Sequence, residues 1–255
     1  MLHSAKCPRW KQLIEESVAS NLQTYAHAKT VQLATLDVAT KRPRNRSVVA
    51  RGFLFDTHSS LETDLLLITT DARTPKLAQF QADNSVELCW WLPVTGEQYR
   101  LSGRVHFLAS KEQQPYSSLP HDLIPAHIFS RQFTHSDPNI DTRPNTDNLA
   151  QPLPQALESE RLRLWRDLTP LLRASFLYPP PGEPFSTDYN DKEVEKHHFP
   201  KELAEDQEEE ALKQFVLLLV EVEQVDWVKL WQFPPERRLF TRGADGSWKE
   251  ERVNP

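Results

Sequence analysis

A short stretch near the start of the chain carries a fixed cation at each end of a β-strand pattern. It reads Arg46-Ser47-Val48-Val49-Ala50-Arg51-Gly52-Phe53, and its Val and Phe content is typical of a half-buried strand. Guanidinium groups bind phosphates and carboxylates through paired N–H donors, so the stretch is suited to presenting charge and backbone together to an anionic ligand. The structural alternative is an edge strand that carries Arg for solubility.

The spacing of the two arginines bears on whether one ligand meets both. Arg46 and Arg51 are five residues apart, so a flat strand directs their side chains to opposite faces. They serve one ligand only if it lies along a twisted strand or if the chain kinks near Gly52. Otherwise Arg51 belongs to solvent or to a partner chain, and Arg46 alone anchors the anion.

A second candidate anion site follows the apolar strand Asp64–Thr70. Thr74 is a good N-cap, Pro75 a good first helical residue, and Lys76 falls in the first turn. Free backbone N–H groups and the positive end of the helix dipole attract anions at such a junction. The alternative is an ordinary strand-to-helix connection.

The sequence lacks the motifs of several common catalytic and binding sites. The chain has six glycines and no Gly-x-Gly-x-x-Gly, P-loop or Gly-x-Ser-x-Gly sequence. Two cysteines exclude a disulfide framework and a four-cysteine metal site. His121, His127 and the adjacent His197-His198 lack the spacing of metal ligands, so we interpret them as surface residues and predict no metal. No residue stands out as a catalytic general base.

Charge and hydropathy limit the partners. The formal net charge of −6 argues against general nucleic-acid binding, and the basic segment from Lys41 to Arg44 is interpreted as a solvated loop. No apolar run reaches the ~20 residues of a membrane span, and the segment from Met1 to Cys7 lacks the apolar core of a signal peptide. The sequence therefore predicts a soluble, cytoplasmic protein.

The hydrophobic patterns predict a mainly β protein with peripheral helices (α+β). A strand meander with one early crossover helix favours a small, predominantly antiparallel barrel. We predict a single domain over residues 1–255, with polar insertions at about 110–157 and 179–210. Strands are predicted at Thr30–Asp37, Arg46–Phe55, Asp64–Thr70, Val86–Leu92, Gln98–Phe107, Phe215–Val222, Val225–Trp231, Arg238–Arg242 and Ser247–Val253, and helices at Arg9–Tyr25, Pro75–Gln81 and Glu158–Phe176.

Four short motifs occur in a fixed order along the chain. They are the stretch from Arg46 to Arg51, Thr69-Thr70 followed by Lys76, Gln98 five residues before Gly103, and Glu236-Arg237-Arg238-Leu239-Phe240-Thr241-Arg242 with Trp248 and a terminal Val-Asn-Pro. In this order the chain resembles the pyridoxamine 5'-phosphate oxidase-like flavoproteins, in particular their oxidase-related subfamily. These are FMN-binding split β-barrels that work as homodimers.

The resemblance implies FMN as cofactor, bound at the subunit interface of a homodimer. It implies that Arg46, Thr70 and Lys76 hold the FMN phosphate and that Gln98 and the backbone of Ser47 to Ala50 face the flavin ring. Pro75 stands where the family has Arg, for which Arg73 is a substitute. The full implied cofactor set is Arg46, Ser47, Val48, Val49, Ala50, Arg51, Thr69, Thr70, Arg73, Lys76, Gln98, Trp231 and Arg242.

The implied substrate site departs from that of the oxidases. Arg51 and Arg238 are the implied substrate residues, but Phe240 replaces a substrate-binding His, and the motif Tyr-x-x-x-Arg-Pro-x-x-Ser has no match. The sequence is compatible with three functions. They are an FMN-dependent oxidoreductase with an altered substrate site, an FMN-binding or storage module without turnover, and a flavin-free interaction protein.

Overall fold

The protein is described by a computed structural model in which residues 7–56, 61–130, 152–184 and 199–255 are defined. Six strands close into an antiparallel barrel in the order β8-β4-β2-β1-β5-β6, with β6 pairing back to β8, and β9 and β10 extend the sheet from β8. The strands are β1 Thr30–Asp37, β2 Arg42–Phe53, β3 Leu61–Thr63, β4 Leu66–Asp71, β5 Ser85–Leu92, β6 Glu97–Leu108, β7 Ile128–Ser130, β8 Phe215–Lys229, β9 Glu236–Arg242 and β10 Trp248–Val253.

Helices surround this barrel, so the predicted fold class of an antiparallel barrel with peripheral helices is confirmed. The short strands β3 and β7 form a separate antiparallel pair. Among the described residues, none of the helices has the length and apolarity needed to cross a membrane. The helices are α1 Arg9–Leu22, α2 Pro75–Ala82, α3 Leu123–His127, α4 Leu153–Arg166, α5 Pro170–Ala174, a 3₁₀ turn Ser175–Leu177 and α6 Glu205–Lys213.

Strands β4 and β8 are buried on both faces, because successive side chains alternate between two hydrophobic cores. Leu66 and Ile68 lie in the core inside the barrel. Leu67 lies in a second core outside it, together with Trp165 of α4 and Leu217 of β8. Each fully buried aliphatic side chain contributes about 1.5–3 kcal/mol. This double burial explains why both strands read as continuous apolar runs in the sequence.

Two glycines lie at bulges of the barrel strands, and one of them is the kink near Gly52 that the sequence left open. The pairing of β6 with β8 shifts register between Ser102 and Gly103, and a Cβ at Gly103 would lie 2.0 Å from the Glu221 carbonyl oxygen. In β2 the pairing with β4 shifts register between Ala50 and Phe53, and Gly52 has a φ of +97°. Both bulges occur where a side chain would strain or clash with the backbone.

Several element boundaries differ from the predictions. Strand β2 begins at Arg42, so most of the basic segment predicted as a loop is an exposed part of this strand, where it pairs with β1. The two strands predicted at Phe215–Val222 and Val225–Trp231 are one strand, β8, because the bulge beside Gly103 absorbs the extra residue without ending the ladder. The single helix predicted over Glu158–Phe176 begins earlier, at Leu153, and is divided. The division falls at Pro170, where Thr169 caps a new helix by accepting a hydrogen bond from the Leu172 N–H.

The predicted polar insertions are only partly described. Residues 131–151 of the first and 185–198 of the second, including His197 and His198, lie outside the described residues. Within the first, Leu123, Ile124 and Ile128 are buried, so this part is packed on the barrel instead of forming a surface excursion. The acidic run in the second forms most of α6. The assignment of one domain stays a prediction.

Candidate functional site

Arg46 of β2 is held in place by neutral oxygen atoms. Its Nη1 donates to the Thr35 hydroxyl (2.7 Å) and to the Leu33 carbonyl (3.2 Å). Its Nη2 donates to Oε1 of Gln79 on α2 (2.9 Å), and the Thr35 hydroxyl donates to the same oxygen (2.6 Å). These bonds fix the guanidinium between β1 and α2 without neutralising its charge.

Lys76 lies in the first turn of α2. Its Nζ donates to the Thr70 hydroxyl at the end of β4 (2.8 Å). Thr74 occupies the N-cap position as predicted, but its hydroxyl donates to the Asp71 carbonyl (2.8 Å) and does not cap the helix. The first turn of α2 is therefore left without a side-chain cap beside an ammonium group, an arrangement that favours an anion.

We call Arg46, Thr70 and Lys76 the cationic corner. Burial, and after it the charge of Arg46, lowers the pKa of Lys76 to about 8, whereas Asp71 raises it. Over the described ranges, no carboxylate lies within ion-pair distance of Arg46 or Lys76. Two neighbouring cations with no carboxylate at ion-pair distance repel each other, so a phosphate placed between them would relieve the repulsion. The corner thus has the composition of a phosphate site.

Arg73, the implied substitute for the family's Arg, is already bound within the chain. Its Nε and Nη2 donate to the two carboxylate oxygens of Asp71 (3.0 and 2.6 Å). Its Nη1 donates to the Tyr178 carbonyl (2.6 Å). With its charge paired, Arg73 is a weaker candidate for an incoming anion than Lys76.

The cofactor residues of β2 alternate between the two faces of the barrel wall. Val48 and Ala50 pack with the barrel core, while Ser47 and Val49 are exposed. Arg51 is on the outer face, where its Nε donates to the Thr69 hydroxyl (3.3 Å). The kink at Gly52 follows Arg51, so it does not turn Arg51 toward Arg46. Of the two arginines, only Arg46 joins the cationic corner.

A second group of implied residues surrounds the hairpin between β5 and β6. Gln98 pairs across the sheet with Trp91 and with Val228 of β8. The Trp231 side chain is 63% exposed, and its ring packs edge-on to Trp91 with centroids 6.2 Å apart. A Cβ on Gly96 would lie 2.2 Å from Cγ of Trp231, so glycine is needed there for the indole to lie on the turn.

The arginines of the terminal motif differ in their hydrogen-bond partners. Arg238 donates to Glu236 (2.6 Å) and also to Glu250, and the Phe240 side chain is buried in the barrel core. Arg242 donates from Nη2 to the Ala126 carbonyl (2.8 Å). Phe240 therefore cannot take over the role of the substrate-binding His that it replaces.

The implied residues are separated within one chain. In the six-stranded ring, β2 and β6 are three strands apart in either direction, so the outer face around Ser47 and that around Gln98 lie on opposite sides of the barrel. Along β8, Val216 pairs with Thr70 and Gln224 pairs with Thr241 next to Arg242. The eight residue steps from Val216 to Gln224 span roughly 26 Å of strand. One chain does not bring the two groups together.

Sequence reasoning missed some polar groups and misplaced one histidine. Thr35 and Gln79, which hold Arg46, belong to no motif. His127 was predicted to be at the surface, which is wrong, because its side chain is fully buried; its helical spacing of four from the buried Leu123 was the available signal. His121 is exposed as predicted. No cluster of His, Cys, Asp or Glu suited to a metal occurs in the described part of the chain.

Comparison with known proteins agrees with these observations. Residues 7–109 match the family model described as pyridoxamine 5'-phosphate oxidase, FMN-binding domain. The chain is 26% identical to pyridoxine/pyridoxamine 5'-phosphate oxidase 2 of Arabidopsis thaliana, with 96% of each chain covered. It is 27% identical to the uncharacterized protein YGR017W of Saccharomyces cerevisiae, with 96% of this chain and 98% of the yeast protein covered.

A solved structure shares the whole architecture. The crystal structure of a pyridoxamine 5'-phosphate oxidase-related, FMN-binding protein from Nostoc punctiforme matches with a TM-score of 0.68 and 26% identity. The match covers 98% of this chain and 100% of the other. Together with the closed antiparallel barrel, these similarities show that the chain has the FMN-binding split-barrel fold and that residues 7–109 resemble the FMN-binding domain of pyridoxamine 5'-phosphate oxidases.

Proposed function

We propose that this protein is a flavoprotein that binds FMN, with the phosphate of the cofactor in the cationic corner. The observation that carries the proposal is the pair Arg46 and Lys76, two neighbouring cations with only neutral partners in the described residues. Charge-assisted bonds from such cations to phosphate oxygens are the strong class of hydrogen bond. The uncapped first turn of α2 adds backbone donors at the same place.

The direct test is a titration of the purified protein, stripped of small molecules, with FMN and with riboflavin. FMN is expected to bind with quenching of its fluorescence, and riboflavin, which lacks the phosphate, at least tenfold more weakly. Equal affinity for the two compounds would contradict the phosphate site. A protein that takes up neither compound would favour the flavin-free interaction protein.

We further propose that the flavin ring lies between two copies of the chain in a homodimer. The support is the distance of the cationic corner and the β2 outer face from the other implied residues, which are Gln98 and Trp231 at the β5–β6 hairpin and Arg242 at the far end of β9. One FMN cannot span both groups within one barrel, but β2 of one protomer and the β5–β6 hairpin of its partner can face each other. The exposed ring of Trp231 would then be covered on association.

Mixing two defective variants tests whether the site is shared. R46A/K76A removes the charges of the cationic corner, and Q98A/W231A removes the other group. If sites form across the dimer, mixed dimers contain one intact site and regain FMN binding, whereas each variant alone does not. Binding that stays absent after verified subunit exchange would place both groups in separate sites or in one chain.

Of the functions open to an FMN protein in this family, we propose an oxidoreductase with a substrate site unlike that of the oxidases. Bound FMN supplies hydride or electron transfer; the protein residues provide binding and orientation. The altered site is supported by Arg238, which is paired with two carboxylates, and by Phe240, which is buried. A substrate phosphate would find fewer free donors here than in the oxidases.

The same observations favour a storage module as the second candidate. To distinguish the two, the bound flavin is reduced without oxygen and then offered oxygen, quinones or pyridoxine 5'-phosphate. Reoxidation by one acceptor faster than that of free FMN supports the oxidoreductase. A rate no faster than that of free FMN with every acceptor supports storage.

A further inference from the structure

A chain of ionisable side chains is buried between the barrel and α3. We call Asp64, His127, Glu221 and His106 the buried polar chain. Nδ1 of His127 lies 2.5 Å from Oδ1 of Asp64, and its Nε2 lies 3.2 Å from Oε1 of Glu221. His106 Nε2 lies 3.0 Å from the second oxygen of Glu221. Both ring nitrogens of His127 therefore face carboxylates.

This arrangement favours the charged form of His127. Burial on its own would lower the pKa of His127, but the hydrogen bonds to Asp64 and Glu221 outweigh it and raise the pKa. The bonds from His106 and His127 lower the pKa of Glu221. A doubly protonated ring donates to both carboxylates at once, and so locks the end of α3 to the residues beside β4 and on β8.

The buried polar chain joins residues from several parts of the barrel. Asp64 precedes β4, Glu221 is on β8, and His106 is on β6. The Trp248 indole of β10 donates to the second oxygen of Asp64 (3.2 Å). The positive charge of Arg242 on β9 acts against protonation of His127. His127 at the end of α3 is thus held directly by Asp64 and Glu221, and the charge of Arg242 opposes its protonation.

Arg242 depends on α3 for its orientation. Its Nη2 donates to the carbonyl of Ala126, the residue before His127. Its Nε is buried and has no partner among the described residues, and none of the described carboxylates forms an ion pair with it. The orientation of the Arg242 guanidinium therefore depends on the position of the Ala126 carbonyl.

We propose that His127 is a positioning residue for Arg242. His127 fixes the end of α3 between Asp64 and Glu221, and so fixes the position of the Ala126 carbonyl. This carbonyl orients the Arg242 guanidinium by accepting its hydrogen bond. The oriented cation can then bind an anionic or electron-rich part of the cofactor. The proposal rests on the proposed function insofar as Arg242 is taken to reach FMN. The simpler alternative is that the buried polar chain only holds α3 on the barrel.

The first test needs no cofactor. The Nε–Hε resonance of Arg242, assigned through its loss in R242K, is compared in wild type, H127Q and the control H106Q. In the described part of the chain His106 hydrogen-bonds to the same Glu221 and to no residue of α3, so we expect H106Q to perturb the buried polar chain without moving Ala126. We expect the Arg242 resonance to shift and to exchange faster with solvent in H127Q only. An unchanged resonance in H127Q, or the same change in H106Q, would overturn the proposal.

The second test is a double-mutant cycle on FMN affinity with H127Q, R242A and the combined variant. If His127 acts through Arg242, H127Q weakens FMN binding roughly threefold or more in the wild type and has no further effect in the R242A background. Independent, multiplying effects would overturn the link. Failure of the wild type to bind FMN would refute the proposed function, while the resonance test would still decide the role of His127.

Discussion

Two arginines of this barrel, Arg46 and Arg238, differ in the charge of their hydrogen-bond partners. Arg46 donates only to neutral oxygens and is close enough to Lys76 to lower the pKa of that amine. Arg238 donates to Glu236 and Glu250, and its bond lowers the pKa of Glu236. Both arginines belong to motifs that are implied to bind ligands, yet only one of them has an unneutralised charge.

The difference teaches how to rank candidate ligand residues. A cation beside another cation gains most from an incoming anion, because the anion offsets a repulsion already present in the fold. A cation between two carboxylates gains little, because a new anion must compete with those already bound. The cationic corner is thus the stronger candidate for binding phosphate, and Arg238 mainly serves the sheet between β9 and β10.

The largest expected effect is on FMN affinity. R46A and K76A should each weaken FMN binding by roughly 1.5–3 kcal/mol, the range for lost charged hydrogen bonds. The measurement is a fluorescence-quenching titration at low salt. K41A is the matched control, since Lys41 is an exposed cation of the nearby β1–β2 turn, and it should change affinity little. Equal losses in all three variants would show that the phosphate is placed wrongly.

The second prediction concerns the pH dependence of FMN binding. The pKa of Lys76 is about 8 without ligand, so the amine is charged below that pH and loses its proton above it. Affinity should therefore be nearly constant around pH 7, fall by about twofold by pH 8 and fall more steeply above it, by up to about tenfold per pH unit.

The control for this prediction is K76R, because arginine keeps its charge throughout that range. Its affinity should stay flat where that of the wild type falls. A parallel decline in K76R would assign the pH dependence to another group.

The smallest effects are expected in the stability of the ligand-free protein, with opposite signs in the two regions. Because the folded pKa of Lys76 is below its unfolded value, the charged amine costs stability at pH 7. K76M should therefore raise the free energy of unfolding, by about 1 kcal/mol. R238Q should lower it by about 1 kcal/mol or less, since partly exposed ion pairs contribute little.

Urea unfolding of the two variants at pH 7 measures this contrast. R238Q should also leave FMN affinity within about twofold of wild type, a change well under 1 kcal/mol. Changes of the same sign in both variants would remove the distinction between the two arginines.

The sequence was most informative where a local pattern has a local cause. The start of α2 at Pro75, the bulge at Gly103 and the strands around the barrel follow from the fixed φ of proline, backbone sterics and hydrophobic alternation, which act between near neighbours. The predictions of element boundaries and of burial were wrong where tertiary contacts override such local patterns. Strand β8 continues through a bulge, and His127 is buried because α3 docks on the barrel.

The sequence by itself determined which side chains carry charge, and that Arg46 and Arg51 point to opposite faces if the strand between them is flat. Only the tertiary structure decided which charges stay unneutralised, because a partner such as Glu250 or Gln79 is brought close by folding and not by spacing. It also placed the outer face of β2 and Gln98 on opposite sides of the barrel, since the closed order of strands is set by pairings across the whole chain. That closure is the physical reason for proposing that one chain holds half of each site.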